Sequence, residues 1–299
     1  MLDNYADPIS ASGLPVLRAA YSDRTAALMA TLARLAYAFP PQGSQPGPAP
    51  AIPAEFQSLG FERITYFHNG MDDGWAYVAE GKDIIAIVFR GTQSIENWHT
   101  NFQVEMVNPP ATDARLGVHK GFFKAFNDLA DGTDGLHKTF ERLKAASQQG
   151  DIPIYIAGHS LGGALAQIAS AVFGCDQIAA CYTFGSPRVG NSYFDLWVKA
   201  PSYRVENYAD IVPQIPWFAP QLPLPKLYRH SGDPRYLPDQ TKASPFRYEP
   251  GPLVRAWQLL VGLRQYFTAG KILGIEDHSM DEYEQKLMAI ANARTQARA

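Results

Sequence analysis

The chain has 299 residues, of which 46% are hydrophobic, 12% aromatic and 18% charged, and its formal net charge is −3 at pH 7. A chain of this length and ordinary globular composition can bury a large core, so we expect a single domain over residues 1–299. The small net charge and the lack of Lys/Arg runs argue against nucleic acid or a strongly anionic surface as a partner.

The sequence shows neither a targeting segment nor a membrane span. Residues 1–8 have no basic start and no apolar core of the kind that Sec signal peptides carry, so the default expectation is a cytoplasmic protein, with secretion by another route left open. The most apolar later segment, Leu253 to Ile275, contains Arg255, Arg264 and Lys271. These charges exclude it as a predicted transmembrane helix.

The first predicted elements are a helix and three strands, separated by a proline-rich segment. Apolar residues at helical spacing predict a helix over about Asp23–Phe39. Residues 40–53 contain six prolines and two glycines, which predict an irregular surface loop. Extended apolar runs then predict three strands, at Phe61–Phe67, Trp75–Ala79 and Ile84–Phe89.

A short amphipathic helix is predicted next, within residues 93–110. Ile95, Trp98 and Phe102 recur at near-helical spacing, with polar residues on the other faces. Such a helix is either a fixed cover or a mobile lid over the site beside it. Its place directly after a strand end favours the lid, with these three side chains facing the substrate.

Residues from about Val118 to Gly150 are predicted to form a long helical region. Its aromatic and aliphatic residues recur at core spacing, so His119 and His137 within it are expected to be structural. We therefore do not assign either histidine a chemical role.

The most informative pattern is a strand, a sharp turn and a helix around Ser160. A short apolar run, Ile152 to Ile156, predicts a buried strand, and apolar residues at helical spacing predict a helix up to Phe173. Between them, Gly158-His-Ser-Leu-Gly162 fits Gly-x-Ser-x-Gly, in which small residues allow a strained turn to expose the serine hydroxyl. The pattern predicts a nucleophile at Ser160, with side chains larger than hydrogen at Gly158 or Gly162 clashing with nearby backbone.

The remaining chain is predicted to supply two strands, a long insertion and a final helix. Ile178–Phe184 is a predicted strand, and a second strand from Tyr203 leaves the sheet at Asp210. Residues 214–276 form a proline-rich and partly helical insertion on the substrate side, for which irregular packing over the sheet is an equal alternative. A helix through Tyr283 ends the chain.

A serine nucleophile needs a histidine base and a carboxylate that orients it. In the serine, acid, histidine chain order of this turn type, His230 and His278 are the two histidines that follow Ser160. We favour His278, because it lies in a loop before a helix, and Asp210, because it ends a strand. His230 stays open as the alternative base, and the competing acids are Asp195, Asp233 and Asp277.

The oxyanion of an acyl-transfer reaction needs two donors. The backbone N–H of Leu161 begins the helix after Ser160, where the positive end of the helix dipole lies. Thr92 follows a buried strand, and its backbone N–H is the candidate second donor. Neither metal nor cofactor is predicted, since His68, Asp72 and Asp73 adjoin turn dipeptides and have no further ligand at metal-binding spacing.

Several blocks together resemble the class 3 lipases, the fungal triacylglycerol lipase type within the α/β-hydrolases. In chain order, the blocks are Phe89-Arg-Gly-Thr92, Ser94-Ile-Glu-Asn-Trp98, Val118-His-Lys-Gly-Phe122, Gly158-His-Ser-Leu-Gly-Gly163, Thr183-Phe-Gly-Ser-Pro-Arg-Val-Gly190, Asp210-Ile-Val-Pro213 and Asp277-His278 with Tyr283. The resemblance implies an α/β-hydrolase fold, that is, a mostly parallel central sheet with flanking helices. It also implies a triad of Ser160, Asp210 and His278, oxyanion donors at Thr92 and Leu161, and a lid that moves.

The sequence therefore predicts a serine hydrolase that cleaves carboxylic esters, most simply a lipase acting on acylglycerols through an acyl-enzyme. The alternatives are a soluble carboxylesterase or a phospholipase without interfacial activation, and a non-catalytic lipid-binding scaffold. The expected partners are a lipid or other ester substrate and a peripheral lipid–water interface.

Overall fold

The computed structural model describes residues 20–39, 46–49, 51–68, 75–92, 105–131, 135–208, 210–216, 218–220, 225–238 and 277–296. Its strands are, in chain order, β1 (Gly47–Pro48), β2 (Phe61–His68), β3 (Trp75–Gly81), β4 (Ile85–Phe89), β5 (Met106–Val107), β6 (Val118–His119), β7 (Ile154–His159), β8 (Ile178–Phe184), β9 (Ser202–Asn207), β10 (Phe218–Ala219), β11 (Lys226–Leu227) and β12 (Asp233–Leu237). The helices are α1 (Asp23–Ala38), α2 (Ala54–Ser58), α3 (Lys120–Ala130), α4 (Leu136–Gly150), α5 (Leu161–Phe173), α6 (Ser192–Trp197) and α7 (Met280–Gln296).

Eight of these strands form one central sheet in the order β1-β2-β3-β4-β7-β8-β9-β12. The first four pair in antiparallel fashion, and the strands from β4 to β12 pair in parallel. In a parallel sheet, the carboxyl ends of all strands meet at one edge, where ligands bind in open α/β folds. Three candidate active-site residues, Thr92, Ser160 and Asp210, follow the carboxyl ends of β4, β7 and β9. They therefore lie at that edge of the sheet.

Helices cover both faces of the sheet. Because side chains alternate along a strand, Tyr155 and Ala157 of β7 pack in the core that contains α1 and α7. Ile154 and Ile156 pack in the second core, with α3, α4 and α5. Every residue of β4 and β7 is buried, as expected for strands that are covered on both sides.

The structure differs from the predicted elements in several places. The strand before Ser160 extends to His159 rather than ending at Ile156. The long helical region is two helices preceded by β6, because α3 ends at Ala130 and α4 begins at Leu136. Gly47–Pro48, within the loop predicted to be irregular, forms β1 and pairs with β2 at the edge of the sheet, where the N–H that proline lacks is not needed.

Two predicted segments lie mostly outside the described residues. The lid side chains Ile95, Trp98 and Phe102 are among them, and Met106–Val107 form β5, so the predicted helix does not continue to Pro110. Within 214–276, the described part includes β12, which joins the main sheet beside β9. None of the helices in the described ranges is long and apolar enough to cross a membrane.

Candidate active site

Ser160 occupies a strained turn between β7 and α5. Its backbone has φ 57° and ψ −128°, a conformation that costs a non-glycine residue about 1–3 kcal/mol. A Cβ atom on Gly158 would lie 2.8 Å from the Gly163 nitrogen, and one on Gly162 would lie 2.7 Å from the Arg90 carbonyl carbon. The predicted clash at both glycines is therefore confirmed. It explains why the turn has a glycine two residues before Ser160 and another two residues after it.

A buried carboxylate and a buried imidazole are hydrogen-bonded beside this turn. His278 Nδ1 lies 2.8 Å from Asp210 Oδ2, and both side chains are fully buried. A carboxylate oxygen only accepts, so Nδ1 carries the proton and Nε2 of the neutral ring is the basic nitrogen. Within the described part of the chain, Nε2 is buried and has no hydrogen-bond partner. The Ser160 hydroxyl is therefore not hydrogen-bonded to it in this structure.

Gly185 brings the serine turn and the acid–base pair together. The Ser160 N–H donates to the carbonyl of Phe184, the last residue of β8, at 2.9 Å. The next residue, Gly185, has φ +56°, and a Cβ atom there would lie 2.7 Å from Asp210 Oδ2 and 2.8 Å from His278 Nδ1. Sequence reasoning missed this glycine as a site residue. Two features of the sequence could have identified Gly185. It directly follows a predicted strand, and it lies in the block from Thr183 to Gly190 that resembles the class 3 lipases.

Two further groups fix the Asp210 carboxylate. The Val212 N–H donates to Oδ1 at 2.9 Å, and the Tyr283 hydroxyl donates to Oδ2 at 2.6 Å. Burial, followed by the charge of Asp210, holds the pKa of Tyr283 well above its ordinary value, so the hydroxyl keeps its proton. The Asn207 N–H donates to the same hydroxyl oxygen at 2.9 Å. Tyr283 was predicted only as a helix residue, and its contact with Asp210 is a tertiary one.

The oxyanion candidates lie on either side of Ser160. Leu161 is the first residue of α5, where backbone N–H groups have no partner within the helix. Thr92 is buried, and the preceding Gly91 packs so closely that a Cβ atom on it would lie 3.0 Å from Ser160 Cβ. The backbone of this loop therefore runs directly beside the nucleophile turn.

The alternative base and acids have other partners. His230 Nε2 lies 3.9 Å from Glu206 Oε1, on a carboxylate that Arg204 already contacts. The structure pairs His278, and not His230, with Asp210. Of the competing acids, Asp195 accepts from the Ser231 hydroxyl and the Gly232 N–H, and Asp233 forms an ion pair with Arg235.

His159, the residue before Ser160, is in contact with the candidate base. The two imidazole rings are 4.5 Å apart between centroids, and His159 Nε2 lies 2.7 Å from the backbone oxygen of His278. His159 precedes Ser160 in the chain, so the chain-order argument did not consider it and missed this contact. In the described ranges, no group of three or more His, Cys, Asp or Glu side chains is arranged to hold a metal ion.

Comparison with known proteins agrees with this arrangement. Residues 86–219 match the family model for lipase (class 3), a span that contains Thr92, Ser160, Leu161 and Asp210. Secreted mono- and diacylglycerol lipase 1 of Fusarium solani is 34% identical over 168 residues, which are 54% of this chain and 47% of that protein. The lipase of Rhizomucor miehei is 30% identical over 178 residues, which are 56% of this chain and 46% of that protein.

The chain thus spans about half the length of the curated relatives that it matches. The solved structure of Rhizomucor miehei triacylglyceride lipase superposes with a TM-score of 0.57 at 25% identity, covering 71% of this chain and 79% of that one. The mixed, mostly parallel sheet with helices on both faces is the α/β-hydrolase arrangement that the sequence predicted. Over residues 86–219, which carry the serine turn and the strand-end aspartate, the chain is similar to the class 3 lipases.

Proposed function

We propose that this protein is a serine hydrolase that cleaves carboxylic esters of lipids, with acylglycerols as the first substrate class. The observation that carries the proposal is the Asp210–His278 hydrogen bond of 2.8 Å, buried beside a serine with φ 57°. A strained serine, a tautomer-fixed imidazole and a carboxylate are the three parts that acyl transfer needs. The match of residues 86–219 to the class 3 lipase model supports lipid esters as the substrate.

The reaction follows from the roles of these three side chains. Ser160 Oγ attacks the ester carbonyl while His278 Nε2 takes its proton, and Asp210 stabilises the imidazolium that forms. The N–H groups of Leu161 and Thr92 donate to the oxyanion. His278 then gives the proton to the leaving alcohol, and the acyl group remains on Ser160. A water molecule repeats the cycle through the same base and releases the carboxylic acid.

We further propose that the substrate reaches Ser160 at a lipid–water interface and that residues 93–110 are the lid. Ser160 is only 2% exposed and His278 only 1% exposed among the described residues, so the ester needs an opening before it can react. The apolar residues Ile95, Trp98 and Phe102 lie next to Thr92 in the chain, which suits a cover that exchanges water for lipid. Residues 214–276 are the proposed substrate-side insertion.

The central test combines covalent labelling with a panel of esters. An organophosphate should label Ser160, and Ser160→Ala should abolish both the label and the hydrolysis while the protein stays folded. The panel runs from short p-nitrophenyl esters to phospholipid and emulsified triglyceride. A lipase shows a rate increase when the substrate passes its solubility limit, whereas a carboxylesterase follows a simple saturation curve.

The outcomes separate the alternatives. Phospholipid hydrolysis without triglyceride hydrolysis would assign a phospholipase. A folded wild-type protein that neither reacts with the organophosphate nor hydrolyses any ester would refute the serine hydrolase proposal and leave a non-catalytic lipid-binding protein.

A further inference from the structure

The ring of His159 is in contact with the ring of the candidate base, His278, and both ring nitrogens of His159 form hydrogen bonds. Its Nε2 is 2.7 Å from the backbone oxygen of His278, which can only accept, so Nε2 carries the ring proton. Burial, followed by the neighbouring His278, lowers the pKa of His159 well below its ordinary value, and the ring stays neutral. Nδ1 is therefore an acceptor, and the Tyr37 hydroxyl, 2.6 Å away, donates to it.

The same tyrosine reaches the loop that carries the oxyanion candidate. The Tyr37 hydroxyl oxygen packs against Gly91 so closely that a Cβ atom on Gly91 would clash with it, and burial raises the pKa of Tyr37 well above its ordinary value, so the hydroxyl keeps its proton. Two hydrogen bonds and one packing contact therefore follow one another: the Tyr37 O–H donates to His159, the His159 N–H donates to the His278 carbonyl, and Gly91 packs against the Tyr37 hydroxyl. Together they join the backbone beside Thr92 to the backbone of the base.

The helix that presents Tyr37 is itself fixed to the helix that follows the base. Arg34 of α1 forms an ion pair with Glu284 of α7 at 2.5 Å, and Arg294 of α7 pairs with Asp23 of α1 at 2.7 Å. The helix α7 begins two residues after His278. These pairs hold α1 against α7 without Tyr37, so removal of one hydroxyl should disturb the site locally and leave the helix in place.

We propose that Tyr37 and His159 are positioning residues that hold the base and the oxyanion loop at their working separation across Ser160. The inference rests on the proposed function, since it concerns how that site is aligned. Neither residue exchanges a proton with substrate. Each acts through backbone, the hydrogen-bonded His278 carbonyl at one end and the packed Gly91 backbone at the other. Misplacement of reacting groups by about 1 Å can cost on the order of 100-fold in rate.

The first test compares Tyr37 of α1 with Tyr77, a buried tyrosine of β3 that contacts the same helix. Tyr37→Phe removes the donor to His159, and we expect kcat to fall by about 10- to 100-fold with KM within about two-fold of wild type. Tyr77→Phe is the matched control, because the Tyr77 hydroxyl donates to the Leu32 carbonyl of the same helix at 2.6 Å but has no part in the chain to His278. It should lower thermal stability and leave kcat unchanged.

All rates are expressed per active site titrated with an organophosphate, so that a loss of folded protein is not read as a loss of kcat. Equal kcat values for the two phenylalanine variants would overturn the proposal. Wild-type protein without label or ester hydrolysis would instead refute the proposed function, and the two failures are thereby distinct.

A second pair of variants decides the same question if Tyr37→Phe does not fold. In His159→Gln the amide nitrogen reaches the position of Nε2 and can donate to the His278 carbonyl, whereas His159→Leu keeps similar volume and loses the donor. We expect kcat per titrated site to be about 10-fold higher for the glutamine variant than for the leucine variant. Equal values, or the reverse order, would show that His159 only fills space.

Discussion

Two clusters of a histidine and a buried carboxylate adjoin β9, and only one of them has the geometry of an acid–base pair. In the first cluster, His278 Nδ1 is 2.8 Å from Asp210, beyond the carboxyl end of the strand. In the second, His230 Nε2 is 3.9 Å from Glu206, within the strand, and Arg204 Nε contacts the same oxygen of Glu206 at 2.8 Å.

The difference shows that proximity of a histidine to a carboxylate does not define a catalytic pair. Glu206 has a permanent cation beside it, and the side chains of Arg204 and Glu206 are only 4% and 5% exposed, so its charge is balanced whatever the state of His230. Asp210 instead accepts hydrogen bonds from two neutral groups, the Val212 N–H and the Tyr283 hydroxyl, and from the His278 imidazole. Its charge is therefore available to stabilise an imidazolium when His278 accepts a proton.

Replacement of the two histidines gives the largest expected contrast. We expect His278→Ala to lower kcat by about 10⁴-fold or more, because it removes the imidazole proposed to take the Ser160 proton, while His230→Ala retains wild-type kcat. Initial rates on a soluble p-nitrophenyl ester, with circular dichroism to confirm folding, provide the measurement. Wild-type activity in folded His278→Ala together with loss in His230→Ala would transfer the base role to His230.

Replacement of the two carboxylates by amides gives the next contrast. Asp210→Asn keeps the shape but can hold His278 in the wrong tautomer, and we expect kcat to fall by about 10⁴-fold. Glu206→Gln should leave kcat per titrated active site unchanged, although the protein becomes less stable because Arg204 loses its counter-charge. Similar kcat losses in the two variants would show that both clusters serve the reaction.

The serine turn and the acid could be predicted because their signals are local. Gly158 and Gly162 flank Ser160 within five residues, at positions where larger side chains would clash, and Asp210 follows a predicted strand directly. The choice between His278 and His230 could not be settled by spacing, since it depends on which side chain reaches Asp210 across 68 residues of chain. The contacts of Tyr283 and His159 were missed for the same reason, as both are made by tertiary packing.

The errors in the elements have local causes. The strand β12 has the sequence Asp-Pro-Arg-Tyr-Leu, whose proline and charges do not fit a strand pattern. It forms because it lies at the edge of the sheet, where a proline is tolerated. The helix α3 ends at Ala130 and α4 begins at Leu136, and the intervening sequence is rich in Gly and Asp, residues that favour turns and that apolar periodicity does not take into account.

Removal of the cation in the second cluster should affect stability and not catalysis. Arg204→Met removes the guanidinium that contacts the buried Glu206 carboxylate at 2.8 Å, which we expect to lower the free energy of unfolding by about 3–5 kcal/mol. The double variant Arg204→Met with Glu206→Leu should recover most of that loss, since two apolar groups can replace a buried pair. Urea denaturation measures both. A loss below about 1 kcal/mol in the single variant would mean that solvent reaches Glu206.

The smallest effect is expected where a donor to Asp210 is removed without touching the base. Tyr283→Phe deletes a hydroxyl that donates to the carboxylate at 2.6 Å and accepts from the Asn207 N–H, and we expect a loss of about 2 kcal/mol in the free energy of unfolding. Asp210 keeps Val212 and His278 as donors, so kcat should fall by only about 10-fold, with KM unchanged. Tyr236→Phe on β12 is the control, because that hydroxyl donates to an exposed backbone carbonyl, that of Tyr208, away from the pair. Equal stability and equal kcat in the two phenylalanine variants would contradict this prediction. The Tyr283 donor to Asp210 would then have no role in the site, and the His278–Asp210 contact alone would be needed.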